Sequence, residues 1–331
     1  MNVDVTLTKR QTEAWEYLTD NKTNVVVFGG AAGGGKSWLG CLWIISQCIQ
    51  LKGIRCLIGR TILTQLKLTT LNTCFDLLHS MGLKSEEHYI YNAQSNIITF
   101  YNGSEIILKD LQDKPGDKMK DGLGSMELTC GFIDESSQIS SLTYSIIKSR
   151  IRYKLNEYNL IPKLLMTCNP ANNWIKREFY IPYVENRLED NKKFIPSLAY
   201  DNMHLPASYI DMLKELPPQQ RKRLLEGDWN FLDESDSLFN FDEISASIYR
   251  TQPLQTNKKY MTIDVARYGD DRSVVMVWND LILIECKIYR KLSTTELFEE
   301  IKLLIRTHGI HNQNIVCDSD GIGAGITDLL R

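Results

Sequence analysis

Between Phe28 and Lys36 the chain places five glycines and two alanines, within the run NVVVFGGAAGGGKSWLG (24–40). A packed core has no use for that much glycine, whose backbone loses more freedom on ordering than any other residue's. A β-branched run precedes the loop and an apolar helical pattern follows it. Gly30-Ala31-Ala32-Gly33-Gly34-Gly35-Lys36-Ser37 fits GxxxxGK[ST] in full. In that context the loop amides around Gly30, Gly33, Gly34 and Gly35 curl about the phosphates of ATP, and the helix N-terminus adds its positive dipole end. Lys36 reaches the β/γ oxygens, and the Ser37 hydroxyl ligates Mg2+. A loop of this kind constrains the chain to an α/β fold with a parallel sheet.

The rest of the first 200 residues fits that constraint. Short apolar runs at 24–28, 54–60, 128–134 and 163–168 alternate with helical patterns at 36–50, 63–81 and 140–154. NIITFYNGSEIILKDL reads as a β-hairpin around Asn102-Gly103, with positive φ at the turn. The polar stretch 111–122 reads as a mobile loop. A Pro pair, a helix and an acidic, serine-bearing stretch between 201 and 245 read as the connection to a second region. There YMTIDVA, RSVVMVW and LILIECKIYR form three consecutive strands, followed by a helix near 293–308 and the strand NIVCDS.

A P-loop needs an acid on a neighbouring strand, and LTCGFIDESSQIS supplies one. Asp134 ends an apolar run, where it can hold Mg2+ through water, and Glu135 follows in position to polarise an attacking water. Gln11 and Trp15 lie at helical spacing upstream of the first strand, where they can read and cover the adenine. LLMTCNPANNW ends another strand in Thr167-Cys168-Asn169, polar residues suited to sensing the γ-phosphate. In the second region Asp264 stands in a strand among apolar neighbours, an expensive place for a carboxylate without a cation. Asp318 ends a later apolar strand. Two strand-borne carboxylates in β-β-β-α-β order suit a Mg2+ or Mn2+ site for phosphodiester cleavage.

Composition adds exclusions. No apolar stretch approaches the roughly 20 residues of a bilayer span, and the N-terminus lacks a signal-peptide pattern, so the reading is a cytoplasmic chain with no membrane association. The eight cysteines include no CxxC or CxC pair, which fits free buried thiols rather than disulfides or zinc. Net charge is −3, and the basic clusters at 148–154 and 219–223 read as solvated helix faces.

Taken in order, LTKRQTEAW, the P-loop, FYNGSEI, LGSMELTCGFIDE, MTCNP, YDNMHLPASYIDMLKELP, LLEGDW and IDVARYGDDRS resemble the large subunit of tailed-bacteriophage terminases. The resemblance implies a P-loop ATPase domain over 1–235, with a linker or subdomain at 201–245. A ribonuclease H-like nuclease domain over 246–331 follows. It implies ATP-driven movement of double-stranded DNA into a procapsid and metal-dependent cutting of concatemeric DNA. The implied partners are a portal protein and a small terminase subunit. Assembly as a ring on the procapsid is implied, with a monomer open for the isolated chain, in the host-cell cytoplasm and outside the mature virion. Carried over by position, Lys36, Ser37, Asp134 and Glu135 are the ATPase residues, Thr167 to Asn169 couple hydrolysis to movement, and Asp264 and Asp318 are nuclease metal ligands.

Two departures stand out. Many members carry an arginine inside the P-loop where this chain has Ala31 and Ala32, so the stabilising charge is expected from Arg60, Arg150 or a neighbouring subunit. The chain also stops at GITDLLR inside a helical pattern, short of the fifth strand and third carboxylate of such a nuclease, so that domain is expected to be truncated. The alternatives are a helicase-like P-loop translocase, and a second region that binds DNA or a partner without cleaving it.

Overall fold

The computed structural model describes residues 6–113, 121–230, 256–266, 272–290, 292–318 and 323–330. The chain divides into two compact units, Met1–Asn240 and Phe241–Arg331.

The first unit is built on an eight-stranded sheet in the order β3-β4-β5-β2-β6-β7-β1-β8. The strands are β1 (Val25–Gly30), β2 (Arg55–Arg60), β3 (Tyr89–Asn92), β4 (Ile97–Phe100), β5 (Glu105–Asp110), β6 (Cys130–Ile133), β7 (Lys163–Cys168) and β8 (Lys192–Ser197). Strands β5, β2, β6, β7, β1 and β8 run parallel, and β3 and β4 add an antiparallel ribbon at one edge. This is the parallel-rich α/β architecture that the P-loop requires.

Alternation along each strand sorts its side chains into two cores. Val26 and Phe28 of β1, Ile58 of β2 and Phe132 of β6 join the face covered by α1 (Lys9–Thr19), α2 (Lys36–Gln50) and α4 (Thr70–Ser80). Val25, Val27, Leu57 and Ile133 join the opposite face with Tyr144 and Ile147 of the helix Ser141–Arg150. Because both faces are covered, the central strands are apolar along most of their length, with polar residues near their ends. Strand β1 is buried at all six positions.

Three differences from the sequence reading have physical causes. The helical pattern over 63–81 is two helices, α3 (Leu63–Leu68) and α4, broken at Thr69 (φ −125°, ψ −76°). Strand β8 escapes the apolar-run pattern because KKFIPS carries two lysines and a proline. At the sheet edge a proline is tolerated, since one side of the strand needs no ladder. In the hairpin between β4 and β5 the left-handed residue is Gly103 (φ 81°) rather than both central residues. Asn102 instead uses its amide to donate to Cys48 O (2.7 Å) at the end of α2. Residues 114–120 of the expected mobile loop lie outside the described residues.

The second unit carries a four-stranded sheet in the order β11-β10-β9-β12. Its strands are β9 (Lys259–Asp264), β10 (Arg272–Asn279), β11 (Ile282–Arg290) and β12 (Ile315–Cys317). Met261, Ile263, Val275 and Val277 form its core with Leu297, Ile301 and Leu304 of the helix Thr294–His308. Strand β12 lies parallel to β9, while β9, β10 and β11 run antiparallel. None of the described helices is long and apolar enough to cross a membrane. Six of the eight cysteines are free and buried, with Cys286 exposed and Cys317 partly so.

In α2, Gly40 lies against β6, where an added Cβ would lie 2.4 Å from the buried Phe132 ring. Gly40→Val should therefore lower stability by about 2–3 kcal/mol through overpacking. A lower urea midpoint for the first unit is expected, and an unchanged midpoint would contradict this packing.

Candidate active site

The carboxyl edge of the parallel sheet gathers the polar residues of the first unit. The loop between β1 and α2 ends at Gly35, whose left-handed φ of 70° turns the chain into the helix. Three side chains from different elements hold the loop carbonyls. Asn202 Nδ2 donates to Gly33 O (2.7 Å), Ser197 Oγ to Gly34 O (3.4 Å) and Gln11 Nε2 to Gly35 O (3.0 Å). These contacts fix the turn at the N-terminus of α2, an end of a helix that favours an anion.

Gln11 is fixed from both ends. Its Oε1 accepts from Thr8 N (2.9 Å) and its own N–H donates to Thr8 Oγ1 (3.3 Å), a reciprocal cap on α1. The residue expected to read adenine thus has both ends of its amide in contact with protein, and Trp15 packs partly buried against the core. Leu205 and Tyr209 pack over Gly33.

Lys36 Nζ donates to Gly30 O (3.3 Å), to Ala31 O and to Asn169 Oδ1 (3.1 Å). Burial pushes its pKa below the ordinary lysine value, while Cys168, Glu135 and Asp134 oppose that shift. Asp134 is 3% exposed and accepts three hydroxyls. Ser37 Oγ (2.9 Å) and Thr167 Oγ1 (2.6 Å) reach its Oδ1, and Thr70 Oγ1 (2.6 Å) reaches its Oδ2. Glu135 follows in the left-handed region (φ 51°), an uncommon conformation for a side chain of its size. Burial and the adjacent Asp134 raise its carboxyl above the usual range, and Lys36, Arg60 and Arg223 counter this.

Lys36, Ser37, Asp134, Glu135, Thr167 and Asn169 are therefore one cluster, drawn from the start of α2 and the ends of β6 and β7. A hydroxyl beside a buried carboxylate is the donor set expected of a Mg2+ site at a nucleotide. Of the cationic candidates, Arg60 lies at the end of β2 and its charge reaches Glu135. It donates to Thr69 Oγ1 (2.7 Å), and its buried Nε has no hydrogen-bond partner among the described residues. Arg223, read from sequence as part of a solvated face, also reaches Glu135 and donates to Pro170 O (2.8 Å). Arg150 ends its helix and donates to Ser149 Oγ (3.1 Å). Sequence reasoning also missed Thr70, Ser197 and Asn202. The adjacent threonines in LKLTTLNT, unusual inside a helical pattern, were the signal available for the first.

In the second unit Asp264 and Asp318 stand at the ends of adjacent parallel strands. Cys317 pairs in register with Ile263, and Asp318 N donates to Ile263 O (2.9 Å). Both aspartates are exposed, which corrects the expectation that Asp264 is a costly buried charge. The two-residue period of β9 sends Met261 and Ile263 to the core and Asp264 to the other face. Among the described residues no group of three or more His, Cys, Asp or Glu is arranged to hold a metal ion. Asp270, Asp271 and Asp320 lie outside those residues.

Comparison with known families matches residues 21–224 to the phage terminase large subunit model. Comparison with curated protein sequences gives no match. Among solved structures, the chain is similar to the large terminase of a thermophilic bacteriophage. The identity is 14%, covering 98% of this chain and 86% of that one, with a TM-score of 0.54. The same protein in complex with ATP-γ-S matches at 15% identity, 98% and 80% coverage and a TM-score of 0.53. The ATPase domain of a Thermus phage large terminase matches at 12% identity, covering 70% of this chain and 96% of that one, with a TM-score of 0.50. At such identities the likeness is one of fold.

The raised carboxyl of Glu135 has a consequence for stability. A carboxyl with a folded pKa above its unfolded value binds its proton more tightly when folded, so stability falls as pH rises from about 4.5 through the folded pKa. Glu135→Gln removes that cost. Its melting temperature should exceed wild type at pH 7, with the gain vanishing below about pH 4. A gain that is constant from pH 4 to pH 8 would contradict the burial argument.

Proposed function

Because the chain belongs to the phage terminase large-subunit family, we propose that it is an ATP-hydrolysing motor that drives double-stranded DNA into a procapsid. The observation that carries this reading is the meeting of Ser37, Asp134 and Thr167 at one carboxylate, beside Lys36 and Asn169. The motor occupies 1–235, with 201–245 as linker. It works as a ring on the procapsid with a portal protein and a small terminase subunit, inside the host cell.

The residues divide the work as follows. The amides of Gly30, Gly33, Gly34 and Gly35 and the N-terminus of α2 take the ATP phosphates, and Lys36 spans the β/γ oxygens. Ser37 and Asp134 would hold Mg2+, which would supply positive charge against the charge developing on the phosphate oxygens. Glu135 orients the attacking water and accepts its proton, and a raised pKa makes the carboxylate a better base. Gln11 and Asn202 keep the loop in its phosphate-accepting shape. Thr167 touches the carboxylate and Asn169 touches the lysine, so a change at either is passed into β7, the basis of their coupling role.

For 246–331 we propose a ribonuclease H-like unit in which Asp264 and Asp318 share one weakly held Mg2+ or Mn2+ for DNA cleavage. Two-metal cleavage calls for further acidic ligands. The exposure of both aspartates and the lack of a third described ligand favour weak cutting, and they favour equally a unit that binds DNA without cleaving it.

Two experiments test the reading. Glu135→Gln should keep nucleotide binding and lose hydrolysis by roughly two to four orders of magnitude, the range for a positioned base. Wild-type turnover in that variant would remove Glu135 from the mechanism. With Mn2+ and plasmid substrate, the chain should nick slowly at most, and Asp264→Ala should abolish that nicking. Robust linearisation would show a complete two-metal site.

A further inference from the structure

The break between α3 and α4 falls beside the candidate active site. Helix α3 stops because Thr69 leaves the helical region, and Thr70 restarts the chain as the first residue of α4. Thr70 is 1% exposed, and its hydroxyl points at Asp134 Oδ2, 2.6 Å away. Its neighbour Thr69 accepts from Arg60 Nη1 (2.7 Å) and donates to Gln65 O (2.8 Å) within α3. Two consecutive hydroxyls at one helix break thus serve the acid on β6 and a cation on β2. The break at Thr69 leaves that residue exposed beside Arg60 while Thr70, the next residue, is buried against Asp134.

The roles of the three hydroxyls on Asp134 differ. Ser37 shares Oδ1 with Thr167, and the Ser37 oxygen is the one the motif assigns to the ion. When Ser37 turns to a metal, Thr167 and Thr70 are the donors left to fix the carboxylate, one on each oxygen. Thr70 is the donor to Oδ2. Without it, that oxygen is free to rotate out of the orientation that a bound ion needs, and partners of this kind typically govern metal affinity by about 10–100-fold.

We infer that Thr70 is a positioning residue for the Mg2+ of the nucleotide site, acting through Asp134, and that the α3–α4 break exists to place it there. The inference rests on the nucleotide-binding reading of that site. The role of Thr70 would run through the Asp134 carboxylate, the group its hydroxyl contacts.

The test is binding of fluorescent N-methylanthraniloyl-ADP to the full chain, titrated with Mg2+ and repeated in EDTA. Thr70→Val keeps the shape and removes the hydroxyl. It should raise the Mg2+ concentration needed for half-maximal enhancement of binding by about 10-fold or more, with affinity in EDTA unchanged. Thr70→Ser should return the Mg2+ midpoint to within a few-fold of wild type. A wild-type midpoint in Thr70→Val would overturn the positioning role. Equal losses in EDTA and in Mg2+, unrelieved by serine, would make Thr70 a packing residue and overturn it too. Wild type that binds no nucleotide in either condition would overturn the functional reading itself, an outcome distinct from a normal wild type with an unaffected variant.

Discussion

A carboxylate buried to 3% exposure at the end of a central strand is costly unless its oxygens are occupied, and in this fold the occupants come from three directions. Ser37 belongs to α2, Thr70 to α4 and Thr167 to β7, and all three converge on Asp134 at the end of β6. The requirement to satisfy one acid therefore fixes where two helices begin and how an adjacent strand ends. Loss of one hydroxyl leaves a buried charge short of a partner, a cost on the order of 1–3 kcal/mol. The same geometry makes the acid a junction, because whatever engages it is felt in α2, in α4 and in β7 together.

The glycine loop depends on that edge as well. Its conformation is imposed from outside by Gln11 of α1, Ser197 at the end of β8 and Asn202 just beyond it. Backbone contacts reinforce this, with Ala31 N donating to Ser197 O (2.7 Å) and Ala32 N to Leu224 O (2.8 Å). Edge strand β8 and the segment after it thus act as a clamp on the loop. Arg223, from the helix Pro218–Leu224, donates to Pro170 O just past β7, and its charge favours the ionised form of Glu135. Two arginines outside the loop, Arg60 and Arg223, act electrostatically on Glu135.

Much of this is legible in the residues alone, for a specific reason. The loop, Asp134-Glu135 and Thr167 to Asn169 each follow a short apolar run, and in a parallel sheet the carboxyl ends of such runs meet at one edge. Contacts made by isolated polar residues are not legible in that way. Thr70 sits within a helical pattern whose break has no glycine or proline to announce it, and Ser197 and Asn202 act from far along the chain. Strand β8 is hidden by Lys192, Lys193 and Pro196, residues that an edge strand tolerates and a central one does not. The sequence places Asp264 correctly on a strand but misses its exposure. Its apolar neighbours Ile263 and Val265 suggest burial, whereas alternation sends every second residue of β9 outward. That lesson is general to sheets covered on one side, where a run of apolar neighbours says less than their parity.

The central claim, that this carboxyl edge binds nucleotide with its metal, is tested most directly by thermal unfolding with and without Mg2+ and ADP. A ligand at about 100 times its dissociation constant stabilises the folded state by about 2.7 kcal/mol, enough to move the melting transition of a unit this size by several degrees. The account predicts such an upward shift for wild type and its loss in Lys36→Ala, whose side chain no longer spans the loop and Asn169. An unshifted wild-type transition at millimolar Mg2+ and ADP, or a shift of equal size in Lys36→Ala, would contradict it.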